Sequence, residues 1–116
     1  MNAISNSAYS DKLRQRRQEV EMTLRHLESE RREVEANTEW LNQTAYQSRL
    51  NLLDRVTTWY RQEMGQIDQA LGRARESRYG LCLACHEPIE ADRLEVFPEA
   101  EFCLDCEEYR ERLRTG

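Results

Sequence analysis

Residues 82–106 read CLACHEPIEADRLEVFPEAEFCLDC, a segment in which two Cys-x-x-Cys pairs are separated by seventeen residues. Each pair places two thiols on one tight turn, and two such turns complete a tetrahedron of soft ligands of the kind that Zn²⁺ prefers. We predict that one structural zinc ion is bound by the four cysteines of this segment, Cys82, Cys85, Cys103 and Cys106. Four cysteine ligands leave no open position for water or substrate, so metal catalysis is not expected.

Two other interpretations of the cysteines are two disulfides or a redox-active Cys-x-x-Cys. A redox-active pair needs a surrounding βαβ unit, and the sequence offers none. The N-terminus has neither the basic nor the apolar segment of a secretory signal, so we expect a reducing cytoplasm, where paired cysteines favour metal. His86 follows the first pair, where glycine is usual; we expect a left-handed backbone there, which histidine tolerates, and not an additional ligand.

The chain before the cysteines carries two heptad patterns. The first consists of residues seven apart, Leu13, Val20, Leu27, Val34 and Leu41. The second recurs at alternating spacings of four and three, with Thr57 and Arg78 as its polar positions: Tyr46, Leu50, Leu53, Thr57, Tyr60, Met64, Ile67, Leu71, Ala74, Arg78 and Leu81. Each apolar stripe needs a partner, and the nearest one is the other stripe, joined by a short turn. The pattern predicts an all-α fold with a long antiparallel two-helix coiled-coil hairpin.

The expected boundaries follow from capping signals. We predict that the first helix begins after Ser10 and the second near Ala45, with Thr44 and Gln47 as a capping box. Three regions result: a flexible N-terminal segment (1–10), the hairpin (11–79) with its tip at 37–44, and a four-cysteine zinc finger with a C-terminal closing helix (80–116). The finger has a thin predicted core, formed by Leu81, Ile89, Leu94, Phe97, Phe102 and Leu104. Zinc contributes about 10–16 kcal/mol to such modules, so we expect the metal to hold the finger together.

Charge and hydropathy exclude several classes of function. The net charge is −5 and the mean hydropathy −0.92. Residues 81–116 carry four basic and ten acidic side chains, a balance of −6 that is unsuited to a phosphate backbone, so nucleic acid is not the expected partner of the finger. No apolar run approaches the ~20 residues of a membrane span. No nucleophile-and-base grouping or glycine-rich phosphate loop is present, so we do not expect an enzyme.

The finger resembles the DksA/TraR family of bacterial transcription regulators. The similar residues are Tyr79-Gly80-Leu81-Cys82-x-x-Cys85-x-Glu87-Pro88-Ile89, Arg93-Leu94, Pro98 and Cys103-x-Asp105-Cys106. The resemblance implies a protein that binds RNA polymerase directly and recognises no DNA sequence. In the family the coiled coil enters the secondary channel of the polymerase, its tip reaches toward the catalytic centre, and the zinc-braced end stays outside.

The predicted tip departs from the family pattern of two aspartates three residues apart, with an alanine two residues after the second. The corresponding positions here are Glu39, Asn42 and Thr44, and we take these with Trp40 as candidate polymerase-contacting residues. Ordinary turn and capping chemistry is an equally good interpretation of them. Family members that respond to the alarmone ppGpp use a basic residue just after the last cysteine. Because Glu107 stands there, we do not expect ppGpp to be bound in that manner.

Two competing functions remain at this point. One is a coiled-coil adaptor whose zinc finger docks on a different protein, and the other is an enzyme or redox protein that uses its thiols. We expect a monomer. A dimer remains open because a second apolar stripe, Leu52, Val56 and Trp59, lies off the main seam and requires a cover.

Overall fold

The computed structural model describes residues 4–37 and 42–115; for residues 4–7 it describes the backbone alone. It contains four helices: α1 (Ile4–Ala36), α2 (Gln43–Arg75), α3 (Ala91–Val96) and α4 (Leu104–Thr115). Across the described ranges the only β-type pairing is an isolated antiparallel bridge between Leu81 and Pro88. The all-α fold predicted from the sequence is therefore confirmed. None of these described helices has an apolar stretch of the length that a membrane span requires.

The chain divides into two compact units. The hairpin unit is Arg17–Gly65, and the finger unit combines the described parts of Met1–Arg16 and Gln66–Gly116. Both long helices contribute to both units.

Within the hairpin unit, α1 and α2 run antiparallel. Arg31 on α1 pairs with Asp54 on α2, and Glu30 on α1 pairs with Arg49 on α2. The seam residues Val20, Leu50 and Leu53 are buried between the helices, as their heptad positions predict. Only six residues join α1 to α2, and the cross-helix pairs hold the two helices side by side, so the helices form an antiparallel hairpin.

The start of α1 differs from the prediction. The helix begins at Ile4, whereas we expected it to begin after Ser10 and residues 1–10 to be flexible. Residues 4–10 contain neither glycine nor proline, and the Tyr9 ring lies 5.2 Å from the Tyr79 ring. This tertiary contact stabilises turns whose serine-rich sequence has only modest helix propensity.

The cap of α2 also differs from the prediction. The Asn42 Oδ1 accepts a hydrogen bond from the Ala45 backbone N–H at 2.7 Å, and the Asn42 carbonyl accepts one from the Tyr46 N–H at 3.0 Å. This is N-cap geometry, so the predicted capping box of Thr44 and Gln47 is wrong. Asparagine is the stronger capping residue, and it places Thr44 inside the first turn of the helix.

α2 ends at Arg75 in a Schellman motif. The Arg78 N–H donates to the Arg73 carbonyl at 2.8 Å, and the Ser77 N–H donates to the Ala74 carbonyl at 3.3 Å. Ser77 takes the left-handed conformation that this motif requires, with φ of 59°. The helix therefore ends before residue 79, the predicted end of the hairpin. Serine and not glycine occupies the left-handed position, so the sequence has no typical C-cap signal there.

The finger unit has a small core of its own. Its buried residues are Cys82, Ile89, Leu94, Ala100 and Cys103, with Tyr9, Tyr79, Phe102 and Cys106 packed against them. Ile89 and Leu94 were predicted in this core and are buried. Leu81, Phe97 and Leu104 were also predicted there but are 39%, 37% and 48% exposed, so the core is thinner than expected.

Candidate metal centre

Two backbone turns present the cysteines in pairs. In the first, the His86 N–H donates to the Cys82 carbonyl at 2.9 Å. In the second, the Glu107 N–H donates to the Cys103 carbonyl at 2.9 Å, where α4 begins. Each hydrogen bond closes a turn across one Cys-x-x-Cys pair, which brings its two sulfur atoms to the same side.

Backbone hydrogen bonds also hold the turns in place. The Leu83 N–H donates to the Glu101 carbonyl at 2.9 Å and so links the first turn to the chain just before the second. The Ile89 N–H donates to the Gly80 carbonyl at 2.7 Å, which closes the short hairpin around the first pair. The ligand positions are therefore fixed by the backbone itself.

The four sulfur atoms have the spacing of a zinc site. All four Sγ atoms lie within 4.8 Å of one another, and those of Cys85 and Cys103 are 3.9 Å apart. A tetrahedral ion with Zn–S bonds of ~2.3 Å requires sulfur atoms about 3.8 Å apart. None of the four is in a disulfide. The cluster fits one zinc ion, so the predicted cofactor is confirmed and the two-disulfide interpretation does not hold.

The thiols of Cys82 and Cys106 have different pKa values in the metal-free protein. Burial raises the pKa of Cys82, but backbone N–H groups of Cys85, Cys103 and Ala84 donate to its sulfur and lower the pKa to about 6. The Cys106 pKa is raised to about 12, first by the neighbouring Cys103 sulfur and then by that of Cys82. Crowded sulfur atoms cannot all be ionised without a cation, and a divalent ion at their centre removes that penalty.

The predicted backbone of His86 is confirmed, because its φ is 66°. The metal-ligating group found within the described ranges contains the four cysteines and no histidine. Gly80, which precedes the first turn, has φ of 85°, and a Cβ there would lie 3.6 Å from Leu94 Cδ1. Space is available at Gly80, so its backbone conformation is what favours glycine.

Two arginine side chains, Arg73 and Arg93, donate hydrogen bonds to backbone carbonyls of the finger. No pattern in the sequence predicts this role. The Arg93 Nε–H donates to the Phe102 carbonyl at 3.1 Å, immediately before Cys103. Arg73 is only 6% exposed and donates to the Ala100 carbonyl at 3.5 Å, and burial lowers its pKa. At this end of α2 the buried positions are Ile67, Ala70 and Arg73. Ala70 and Arg73 lie off the predicted heptad seam, which has Leu71 and Ala74 at this end of the helix.

Two of the four predicted tip residues, Asn42 and Thr44, lie in the described part of the chain. Glu39 and Trp40 lie outside the described residues. Asn42 and Thr44 are exposed at the start of α2, where Asn42 is the helix cap. Their role as polymerase contacts stays a prediction.

Comparison with known proteins gives consistent matches. Residues 77–112 match the family described as the prokaryotic dksA/traR C4-type zinc finger. The RNA polymerase-binding transcription factor DksA of Escherichia coli K12 is 28% identical over 105 residues, which span 88% of this chain and 68% of that protein. The protein of the same name from Caulobacter vibrioides NA1000 is 31% identical over 90 residues, 78% of this chain and 61% of its own length.

Two solved structures share the fold. Transcription factor DksA2 from Pseudomonas aeruginosa superposes with a TM-score of 0.88 at 24% identity, covering 100% of this chain and 90% of that one. The RNA polymerase binding protein and transcriptional regulator Dks from Chlamydia trachomatis gives a TM-score of 0.60 at 17% identity, covering 100% and 98%. At these identities the likeness concerns the fold alone.

Proposed function

We propose that the chain is a member of the DksA/TraR family of C4-type zinc-finger proteins and a transcription regulator that binds RNA polymerase directly. The observation that carries the proposal is the extent of the match to the E. coli relative. It covers 88% of this chain and so includes the paired helices as well as the finger. A zinc finger shared alone would say little about the partner.

In this proposal the coiled-coil tip enters the secondary channel of the polymerase. The tip comprises residues 37–44, with Glu39, Trp40, Asn42 and Thr44 as its contact residues. The antiparallel pairing of α1 and α2 supports the idea, because it joins the two helices through a short turn that a narrow channel can admit. The cap at Asn42 fixes where the second helix begins and hence which side chains follow the turn.

The tip of this chain is less acidic than the family pattern, so we propose an altered effect on transcription. Asn42 is neutral where the family has its second aspartate, and its Oδ1 is already engaged by the Ala45 N–H. Aspartate caps helices as well as asparagine does. The difference between the two residues at this position is therefore charge, with the helix start preserved.

We propose that regulation involves no sequence-specific DNA contact. The finger segment 81–116 carries ten acidic and four basic side chains, which repels a phosphate backbone. Binding to RNA polymerase also places the protein in the cytoplasm, where thiols stay reduced and available to zinc. A zinc ion with four cysteine ligands has no open coordination position, so we assign the zinc a structural role.

We also propose that ppGpp is not bound in the family manner. Glu107 follows the last cysteine, and its carboxylate lies 4.0 Å from Arg93 and 4.0 Å from Arg114. An anionic nucleotide would meet a carboxylate at this position, and the nearby guanidinium groups are already turned toward that carboxylate. The expected result is equal polymerase binding with and without ppGpp.

The proposal is tested by measuring binding of the zinc-loaded protein to purified core RNA polymerase. We expect a saturable complex, and a tip variant such as Asn42→Ala should change its effect on transcription in vitro. Failure to bind the polymerase would favour the adaptor function, in which the same fold serves a different protein partner. Binding that is unaffected by every tip substitution would separate polymerase binding from the secondary-channel mechanism.

A further inference from the structure

A groove of about 500 Å³ lies between α1 and α2 within the hairpin unit. It forms where seam positions are polar. Arg31, the seam position between Leu27 and Val34 on α1, pairs with Asp54 on α2, and Thr57 on α2 is too short to fill the space of a leucine. Leu24 and Leu27 form its apolar side and are only partly buried. The coiled-coil packing is therefore interrupted at the groove, and the apolar side formed by Leu24 and Leu27 stays partly exposed.

The groove lining carries three carboxylates and three arginines, so its formal charge is balanced. Its three carboxylates are each engaged: Asp54 pairs with Arg31, Glu21 lies 3.7 Å from Arg25, and Glu28 lies 3.8 Å from Arg32.

Arg61 differs from the other cations that line the groove. Within residues 4–37 and 42–115 no ion pair or hydrogen bond is found for its guanidinium, or for the Thr57 hydroxyl one turn before it on the same helix. An anionic group entering the groove would thus meet a free guanidinium and a free hydroxyl.

We infer that this groove binds a segment of RNA polymerase that carries a carboxylate next to an apolar side chain. The carboxylate pairs with the Arg61 guanidinium and accepts a hydrogen bond from the Thr57 hydroxyl. The adjacent apolar side chain covers Leu24 and Leu27. The volume suits a few side chains, since small binding sites measure ~300–1,000 Å³. This inference rests on the proposed function, and it adds a second contact surface to the tip.

The size of the groove favours a local contact in a larger interface over a dimer of this chain. Nine residues line it, whereas each side of a standard protein interface uses about 20–30. A second copy held by this groove alone would lack the buried area for a stable complex. A large partner that contacts the protein elsewhere as well can use it as one pocket among several.

Two substitutions test the inference without disturbing the finger. Thr57→Leu fills the groove with the side chain that the heptad pattern calls for, and Arg61→Gln removes the free charge. Arg55→Gln is the matched control, because Arg55 is exposed on the same helix and does not line the groove. Affinity for core RNA polymerase is measured by fluorescence anisotropy of the labelled, zinc-loaded protein, and thermal melting verifies that each variant is folded.

We expect Thr57→Leu and Arg61→Gln each to weaken polymerase binding about tenfold, while Arg55→Gln changes it less than about twofold. Arg61→Gln should also reduce the dependence of affinity on salt, and Arg61→Lys should restore part of the binding. Thr57→Leu should melt no lower than the wild type. If the wild type binds polymerase and both groove variants bind equally well, the inference is overturned and the proposed function stands. If the wild type does not bind polymerase, the proposed function fails, and the inference with it.

Discussion

Asn42 caps α2, because its side-chain Oδ1 accepts a hydrogen bond from the Ala45 N–H at 2.7 Å. Asn42 is the first described residue after the gap at 38–41. The residue that departs from the family's aspartate is thus also the residue that starts the second helix. The capping role and the proposed functional role therefore coincide at one exposed side chain, and substitutions must separate them.

Two variants of Asn42 achieve this separation. Asn42→Ala removes the cap and should lower the free energy of unfolding by about 1 kcal/mol, measured by urea denaturation. Asn42→Asp keeps a capping oxygen and should leave that free energy nearly unchanged. Because it adds the missing charge, Asn42→Asp should also strengthen the effect on transcription in vitro. Identical promoter responses for wild type and Asn42→Asp would argue against the tip assignment.

Ser77→Gly should stabilise the protein. Ser77 holds the left-handed position of the Schellman motif with φ of 59°, a conformation that costs a residue with a Cβ roughly 1–2 kcal/mol. Part of the gain is lost because glycine is freer in the unfolded chain, so we expect about 0.5–1 kcal/mol of added stability in urea denaturation. Ser48→Gly is the control, since Ser48 is exposed inside α2 and should lose about as much. Equal destabilisation by both would contradict the Schellman assignment.

Removal of zinc should unfold the finger and leave the hairpin unit helical. The finger core has five buried residues, two of them cysteine ligands, which is too little to fold without metal. Chelation or Cys106→Ser should therefore melt α3 and α4, which are 6 and 12 residues long, while the helical signal of α1 and α2 persists. Circular dichroism with and without chelator measures the loss. A spectrum unchanged by complete metal removal would show that the finger core suffices alone.

Zinc binding should release protons at neutral pH. The Cys106 pKa of about 12 keeps that thiol protonated in the metal-free form, whereas the Cys82 pKa of about 6 leaves that thiol largely ionised. Since zinc takes thiolates, binding must displace at least the Cys106 proton, and affinity should fall as the pH is lowered. Calorimetry in two buffers of different ionisation enthalpy counts the released protons. No difference between the buffers would contradict the assignment.

Tyr79→Phe should weaken the finger unit through a single lost hydrogen bond. The Tyr79 hydroxyl donates to the Pro98 carbonyl at 2.8 Å, and burial raises its pKa above that of an ordinary tyrosine. The expected cost is about 1 kcal/mol in thermal or urea unfolding of the zinc-loaded protein. Tyr109→Phe is the matched control, because Tyr109 is 58% exposed and should change stability little. A Tyr79→Phe variant as stable as the Tyr109 variant would show that the bond contributes nothing.

Spacing in the sequence was sufficient to predict the zinc ligands and the paired helices. The cysteine turns depend on local residue types, and the heptad pattern identifies Val20, Leu50 and Leu53 as core positions without knowledge of the partner. Local chemistry also predicted the left-handed backbone at His86.

The details that failed depend on contacts between distant parts of the chain. The early start of α1 is stabilised by the ring of Tyr79, which lies far from Tyr9 along the sequence. The burial of Arg73, about which no prediction was made, accompanies a hydrogen bond to the Ala100 carbonyl. The cap at Asn42 was missed for a different reason, because two neighbouring residues can both cap and only the backbone path decides between them.

Site-specific photocrosslinking from position 42 tests the central proposal most directly. A photoreactive residue is placed there, the zinc-loaded protein is bound to RNA polymerase, and the crosslinked peptides are mapped by mass spectrometry. We predict crosslinks to the polymerase residues that surround its active centre, at the inner end of the secondary channel. Crosslinks confined to the outer surface of the polymerase, in a complex that still forms, would contradict insertion of the tip.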